Sequence, residues 1–527
     1  MYVNHLVTTT RAACVKSSQA TRGVEKRGAV SKLSEEVSTG SAGAFRIEEN
    51  GINVITEGER KGEPRQLFWP WFGANVSVLG LAYGAFIFGF GISFWQALIV
   101  GLVGVFISFL LCGIIALAGK RASAPTMVLS RAVYGVRGSR LPAGISWLLC
   151  VGWETFLSAI AVLATSAVFS KLGWGGGDGV KVIAMIIVAG LIIGGGVMGF
   201  DLIMRMQTII TLVTAVLTVA FIALTAKDVH WHTVSHIHSG STQAMIGALV
   251  FVMTGFGLGW VNVAADYSRY LPRSASSRGV VWWTTLGGSL APIILVVFGL
   301  LLAGSSTKLV NAMDMTNPIG PLATATKLPT WFLVPFIIVA VLGIVGGAVL
   351  DIYSSGLALL SAGLRIPRFA AAGVDGVIML LGTIYIVFAK QDFLAQFEGF
   401  LITVGVLIAA WCGVFLGDLA LRKKDYSDDD LFRNSGRYGD IRLVPVVTTI
   451  IASVIGWGLV TNSGASWLTW QGYLLGPLHL GGKTGDWEYA NLGVFVTLVL
   501  SFVLTVIFTK NQVRLQEDGV VETASVS

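Results

Sequence analysis

Two carboxylates stand where carboxylates are costly. Glu154 lies in CVGWETFLSAIAVLATS and Asp351 in IVGGAVLDIYSSGLALL, runs that are otherwise nearly free of charge. A charge at the middle of a membrane helix costs roughly 2.5–3.5 kcal/mol on insertion scales, which makes such residues functional candidates by default. A carboxyl there can accept hydrogen bonds when ionised, donate one when protonated, and so carry a proton. Glu154, Ser158 and Thr165 share one arc of a helix, whereas Trp153 points about 100° away. The structural alternative for either acid is a protonated carboxyl bonded to a neighbouring helix.

Other chemical signals are weaker. HWHTVSHIH (230–238) has four histidines but no carboxylate or cysteine beside them, and reads as a solvated loop rather than a metal site. GWGGGDG (173–179) follows an apolar span, not a strand, which argues against a phosphate loop. Cys112, Cys150 and Cys412 fall in apolar spans and Cys14 near the start, with no disulfide or zinc spacing. Asp266, beside Tyr267 and Arg269, reads as an interfacial or gating anchor. The acidic run DYSDDD (425–430) reads as a solvated loop.

What must position the two acids is a membrane bundle. The 527 residues are 54% hydrophobic and 12% charged, with a mean hydropathy of +0.76. A soluble chain would carry about a quarter charged residues. Twelve apolar windows of span length recur, near 72–93, 95–118, 143–168, 181–198, 207–226, 244–265, 280–303, 332–363, 372–390, 393–420, 443–462 and 489–509. Backbone groups in lipid must pair internally, so these windows are expected to be helices.

The formal charge of +7 is not a nucleic-acid footprint. The 119–142, 266–279, 364–371 and 421–442 connections hold clustered arginines and lysines, and the alternate connections only scattered lysines. That is the positive-inside pattern, and it predicts both termini in the cytoplasm.

The first and sixth windows are irregular. GLAYGAFIFGFGIS has glycines at 80, 84, 89 and 91, and TGFGLGW has them at 255, 257 and 259. Five spans separate the two. Interrupted helices at matching places in two five-helix halves point to an inverted-repeat transporter; close helix packing is the alternative. Gly84, Gly255 and Gly259 are the expected break positions. The expected layout is a tail over 1–65, five-helix repeats over 66–226 and 244–420, a loop over 421–442, two extra helices over 443–509 and a tail over 510–527.

Four motifs carry a family resemblance. IEENGINVITEGERKG (47–62) with WFGANVSVLG, SAPTMVLSRAVYGVRGS (123–139), AADYSRYLP (264–272) and DIYSSGLALLSAGLRIPR (351–368) resemble the purine–cytosine permease branch of nucleobase–cation symporter family 1. The likeness runs in order over roughly residues 45–510. It implies an all-α polytopic protein of about twelve helices, a LeuT-like five-plus-five repeat with two helices added. By that resemblance Trp153 stacks on a planar heterocycle, and Phe256, Gly257 and Trp260 enclose its other side. Asp351 stands where the family often has Asn, which changes the edge pattern a ligand must offer.

Sodium-coupled relatives place hydroxyls in the eighth span before that polar residue; here the segment is Gly343-Ile344-Val345-Gly346-Gly347. A proton, on Asp351 or Glu154, is therefore the expected coupling cation, with sodium as the alternative and no other cofactor or metal. The resulting expectation is a cell-membrane symporter, not an enzyme, importing cytosine or purine-type nucleobases. Other nitrogen heterocycles (allantoin, hydantoin, uracil, a pyridoxine-like vitamin) are the runner-up substrates, and an uncoupled channel or membrane enzyme the distant alternative. The sequence leaves oligomeric state open.

Overall fold

Serines open several of the long helices. Ser93 accepts from the Gln96 N–H and receives the Gln96 side chain on its own N–H, starting Phe94–Ala122. Ser241 and Ser276 cap Thr242–Gly255 and Ser277–Gly304 in the same manner, each accepting from an N–H three residues on. Side-chain acceptors at these positions satisfy helix N–H groups that would otherwise lack partners.

The computed structural model describes residues 47–313, 318–389, 393–462 and 465–520. Glu48–Ser527 forms one compact unit; of the other unit, Met1–Ile47, only Ile47 falls within the described residues. The expected tail over 1–46 thus lies outside them. Every regular element among the described residues is helical.

Nine of these helices are long and apolar enough to cross a membrane. They are joined by one bent pair, Pro64–Asn75 with Leu79–Phe88 (64° apart), and by two shorter apolar helices, Thr242–Gly255 and Leu443–Trp457. In chain order the bent pair is the first span. The second to fifth are Phe94–Ala122, Arg140–Lys171, Asp178–Met198 and Phe200–Thr225. Thr242–Gly255 begins the sixth, and Ser277–Gly304, Leu333–Ser361 and Arg368–Ile384 are the seventh to ninth. Phe393–Leu421, Leu443–Trp457 and Leu492–Glu517 complete the set. The third and eighth are the most enclosed, with 78% and 72% of their apolar windows buried, against 33% for the fifth and twelfth. The acids predicted from sequence therefore sit on the two central helices.

The connections sort to two ends. Arg121 pairs with Asp425, Arg273 with Asp428 and Arg137 with Asp440, so the arginine-rich loops meet one another. At the opposite end Gln96 bonds Gly240, the His230 N–H donates to Ser305, and the Lys327 N–H donates to Asp228. The histidine run lies here, and among the described residues no group of His, Cys, Asp or Glu could hold a metal.

Several expected boundaries need correction. Residues 48–62, assigned to a tail, form a strap: the N–H groups of Glu48, Ile55 and Lys61 donate to the carbonyls of Met198, Ser123 and Tyr270. Its backbone is tied to three connections while most of its polar side chains stay in solvent. The last span continues through 510–517, where Gln516 donates to Ala132 O and accepts from Arg422. DYSDDD is not simply solvated either, because Asp425 and Asp428 hold Arg121 and Arg273. Partial burial pushes the Asp428 carboxyl up from its ordinary range, against the pull of Arg273.

Candidate binding site at the two broken spans

The three alternate glycines of the sixth span face three different neighbours. The helix ends at Gly255, and Phe256 leaves it with φ −116° and ψ −113°. Short turns at Gly257–Gly259 and Val261–Val263 follow. A Cβ on Gly255 would lie 2.2 Å from Tyr83 Oη of the first span. On Gly257 it would lie 2.1 Å from Ser108 C of the second. On Gly259 it would meet Trp153 Nε1 of the third at 3.7 Å. The segment is thus both interrupted and closely packed, and the two readings of its glycines describe the same turn.

Its main chain is nonetheless well satisfied. The Phe256 N–H donates to Val252 O, Gly259 to Phe256 O and Trp260 to Gly257 O. The Gly257 N–H donates to Ser108 Oγ, and its carbonyl accepts from Cys112 Sγ. Gly257 therefore serves the second span and is not in the pocket wall, which corrects its expected place there. Side chains form most of the wall instead.

The first span breaks at Val76–Val78 rather than at Gly84. Gly84 lies inside Leu79–Phe88, where an added Cβ would sit 2.3 Å from Gly299 C of the seventh span. It is a packing glycine. The break itself is held by the eighth span: a Cβ on Gly343 would come within 2.8 Å of Ser77 Cα, and one on Gly346 within 2.5 Å of Gly73 O. Close helix approach of this kind is what small residues permit in membranes. Gln207 of the fifth span donates to Gly346 O at 2.6 Å, and Asn75 to Trp71 O at 2.8 Å. Gly346 O and Trp71 O thus already carry neutral donors.

Between the two breaks lies a chamber of about 60 Å³ whose wall includes Asn75, Tyr83, Trp153, Phe256, Trp260 and Asp351. By the volume a water centre needs, that is room for roughly four to six waters. Tyr83, Trp153, Gly255 and Gly259 also line a second space of about 320 Å³, so the two are contiguous. The larger space runs past Phe90, Asn462 and Tyr489, toward the end opposite the arginine-rich loops. Trp153 is half-buried at the junction, and Asp351 is 3% exposed. Tyr83 packs on Phe256 with ring centroids 4.5 Å apart. Trp260 meets Trp71 edge-on at 5.8 Å, and Trp71 meets Tyr267 at 5.6 Å.

Toward the arginine-rich end the path is closed. Tyr267 donates to Leu350 O, and its hydroxyl lies 3.1 Å from Ser354 Oγ. Below it, fully buried Arg269 bonds Tyr353 Oη at 2.9 Å, Tyr270 Oη at 3.0 Å and Glu48 at 3.5 Å. Glu48 also accepts from Tyr270 and the Phe200 N–H and pairs with Arg368. Asp266, expected as an anchor, accepts from the Thr126 N–H and hydroxyl at 2.8 Å each.

Glu154 does not face the chamber. It is 0% exposed behind Trp153, and neither oxygen has a hydrogen-bond partner among the described residues. Three chamber residues with polar side chains escaped the sequence reading: Asn75, Ser77 and Tyr83. Only Asn75, an amide inside an apolar window, carried a usable signal. Asp375 was missed as well. It is buried in the ninth span, where it accepts from Trp147 Nε1 and Ser355 Oγ.

Comparison with known proteins agrees with this geometry. Residues 54–476 match the family described as "Permease for cytosine/purines, uracil, thiamine, allantoin". The chain is 24% identical over 468 residues to the "Putative purine-cytosine permease YxlA" of Bacillus subtilis (strain 168), covering 87% of this chain and 96% of that protein. It is 21% identical over 279 residues to the purine-cytosine permease FCY2 of Saccharomyces cerevisiae (strain ATCC 204508 / S288c), covering 52% and 50%. Among solved structures, Mhp1, a nucleobase-cation-symport-1 family transporter in a closed conformation with bromovinylhydantoin bound, superposes with a TM-score of 0.66. That match has 16% identity and covers 90% of this chain and all of Mhp1. The inward-facing conformation of Mhp1 gives 0.60 at 18% identity, covering 90% and 99%.

Proposed function

We propose, since this chain belongs to the permease family for cytosine/purines, uracil, thiamine and allantoin, that it imports a small planar nitrogen heterocycle across the cell membrane by proton symport. One observation carries the reading. Aromatic faces and a lone carboxylate converge on one chamber at the place where two spans lose their helix. Flat heterocycles bind through their faces to aromatic rings, and through their edges to donors and acceptors.

In this reading Trp153 stacks on the ring, Phe256 and Trp260 close the opposite side, and Asp351 with Asn75 meets its edge. Gly255 and Gly259 keep the sixth span clear of Tyr83 and Trp153. The aromatic faces and the edge groups of the chamber suit a bare base such as cytosine. The arginine-rich end is assigned to the cytoplasm by the positive-inside rule. The contiguous space then opens outward, and the Glu48–Arg269–Tyr353 cluster is the closed inner gate. Proton coupling is supported by the Gly343–Gly347 segment of the eighth span, which offers no hydroxyl, and by Gln207 donating to the Gly346 carbonyl.

The test is uptake of radiolabelled cytosine into proteoliposomes, with unlabelled purines, uracil, allantoin and hydantoin as competitors. Saturable uptake raised by an inward proton gradient is expected. Uptake that follows a sodium gradient and ignores pH would overturn the coupling, and absence of uptake for every heterocycle would overturn the function.

A further inference from the structure

Behind the chamber the third, eighth and ninth spans bury a second acidic site. Asp375 is 0% exposed and uses both oxygens: Trp147 Nε1 donates to Oδ1 at 2.8 Å and Ser355 Oγ to Oδ2 at 2.8 Å. Both acceptor positions are thus satisfied as an ionised carboxylate requires. Glu154 offers the opposite picture, fully enclosed with two unpartnered oxygens. One turn along the third span, the Ser158 hydroxyl is also buried without a partner.

The charged groups that act on Glu154 are Asp375 from the ninth span and Asp351 from the eighth, with Ser355 the polar neighbour. On its own helix Cys150 is the titratable neighbour. Among the described residues no basic side chain balances the three acids. The seal is tight, since a Cβ on Gly382 of the ninth span would come within 2.6 Å of Thr155 Cγ2. Two enclosed carboxylates without a counter-charge cannot both be ionised at acceptable cost.

We propose that Glu154 and Asp375 together hold the coupling proton, on Glu154, leaving Asp351 free to serve the substrate edge. This rests on the transport reading above and deepens it. Asp375 stays ionised on its Trp147 and Ser355 donors, and the pair carries one negative charge when loaded and two when empty. Release therefore requires the third and ninth spans to part and admit water, after which the proton leaves to the cytoplasmic side. Ser355 lies one turn from Asp351 on the same face of the eighth span, so movement of that helix is felt at both places.

The experiment uses full-length protein in proteoliposomes. The probe is whichever of cytosine, hypoxanthine, uracil or allantoin the wild type exchanges. With one proton per substrate, a gradient of one pH unit should give accumulation of about tenfold. Glu154→Gln and Asp375→Asn should bind the probe and exchange it across the membrane, while accumulation falls to about onefold. In the wild type, probe addition should acidify the lumen, read by a trapped pH dye. Wild-type-like accumulation by Glu154→Gln would overturn the proposal, as would wild-type probe entry without acidification, which holds even if a variant fails to fold. Exchange of no probe by the wild type would instead overturn the heterocycle reading, and this one with it.

Discussion

Gly257 and Gly259 lie two residues apart, yet substitution should separate stability from binding. In Gly257→Ala the new methyl would lie 2.1 Å from Ser108 C and 2.4 Å from Phe109 N. These are backbone atoms, so no rotamer change can relieve the clash, and the second and sixth spans must move apart by about 1.5 Å to reach ordinary contact. Overpacking of this kind costs roughly 1–3 kcal/mol. Weakening the Ser108 and Cys112 hydrogen bonds to Gly257 adds on the order of 1 kcal/mol. A fall in Tm of roughly 2–4 °C follows for a unit of this size, with binding kept in the protein that remains folded.

In Gly259→Ala the nearest atoms are Thr254 O at 3.2 Å and Trp153 Nε1 at 3.7 Å, so the site accepts a methyl with little strain. The methyl stands against the indole, where the ligand ring is proposed to lie. Tm should stay near the wild-type value while affinity falls about tenfold. Thermal unfolding followed by a fluorescent thiol dye, beside radioligand binding to detergent-purified protein, measures both. If Gly257→Ala loses affinity at unchanged Tm, or Gly259→Ala binds as the wild type does, the assignment of these two glycines is wrong.

Trp153→Ala should weaken heterocycle binding by roughly 5- to 150-fold, the loss of one stacking partner worth about 1–3 kcal/mol, with Trp153→Phe in between; equal affinity in all three would exclude stacking. Asp351→Asn should reorder the competition panel rather than abolish transport, because an amide offers both donors and an acceptor; an unchanged rank order would remove Asp351 from the substrate edge. Glu48→Gln should loosen the cluster around Arg269 and shift the population toward an open basic end by at least tenfold. Labelling of a cysteine placed at Ser354 by a membrane-impermeant maleimide, applied from the cytoplasmic side, reads that shift, and labelling at the wild-type rate would refute the gate.

Asp351 was legible because a carboxylate within an apolar span has few structural reasons to be there, whereas Trp153, Phe256 and Trp260 were expected only through the family resemblance. Trp153, Phe256, Trp260 and Asp351 do meet in one chamber. The break in the first span was legible only as to which span, since it lies at Val76–Val78 and packs against Gly343 and Gly346, contacts between segments far apart in sequence. Gly84 and Gly257 look like break or wall residues in a linear pattern, and only their neighbours distinguish them. Asp375 lies close to a span end, where a carboxylate is ordinary, so its burial could not be read from position. The strap over 48–62 has the composition of a tail, and the partners that order it come from the second, fourth, sixth, eighth and ninth spans and their connections.

Trp71 touches Trp260 on one side and Tyr267 on the other, without exposure to either space. The three rings form a rigid lever whose one arm rests on the chamber and whose other arm rests on the Leu350 carbonyl at the closed end. A displacement of Trp260 is expected to reach Tyr267 through these contacts. A smaller side chain at position 71 should uncouple the two, leaving a carrier that still recognises its cargo and no longer turns over in response to it.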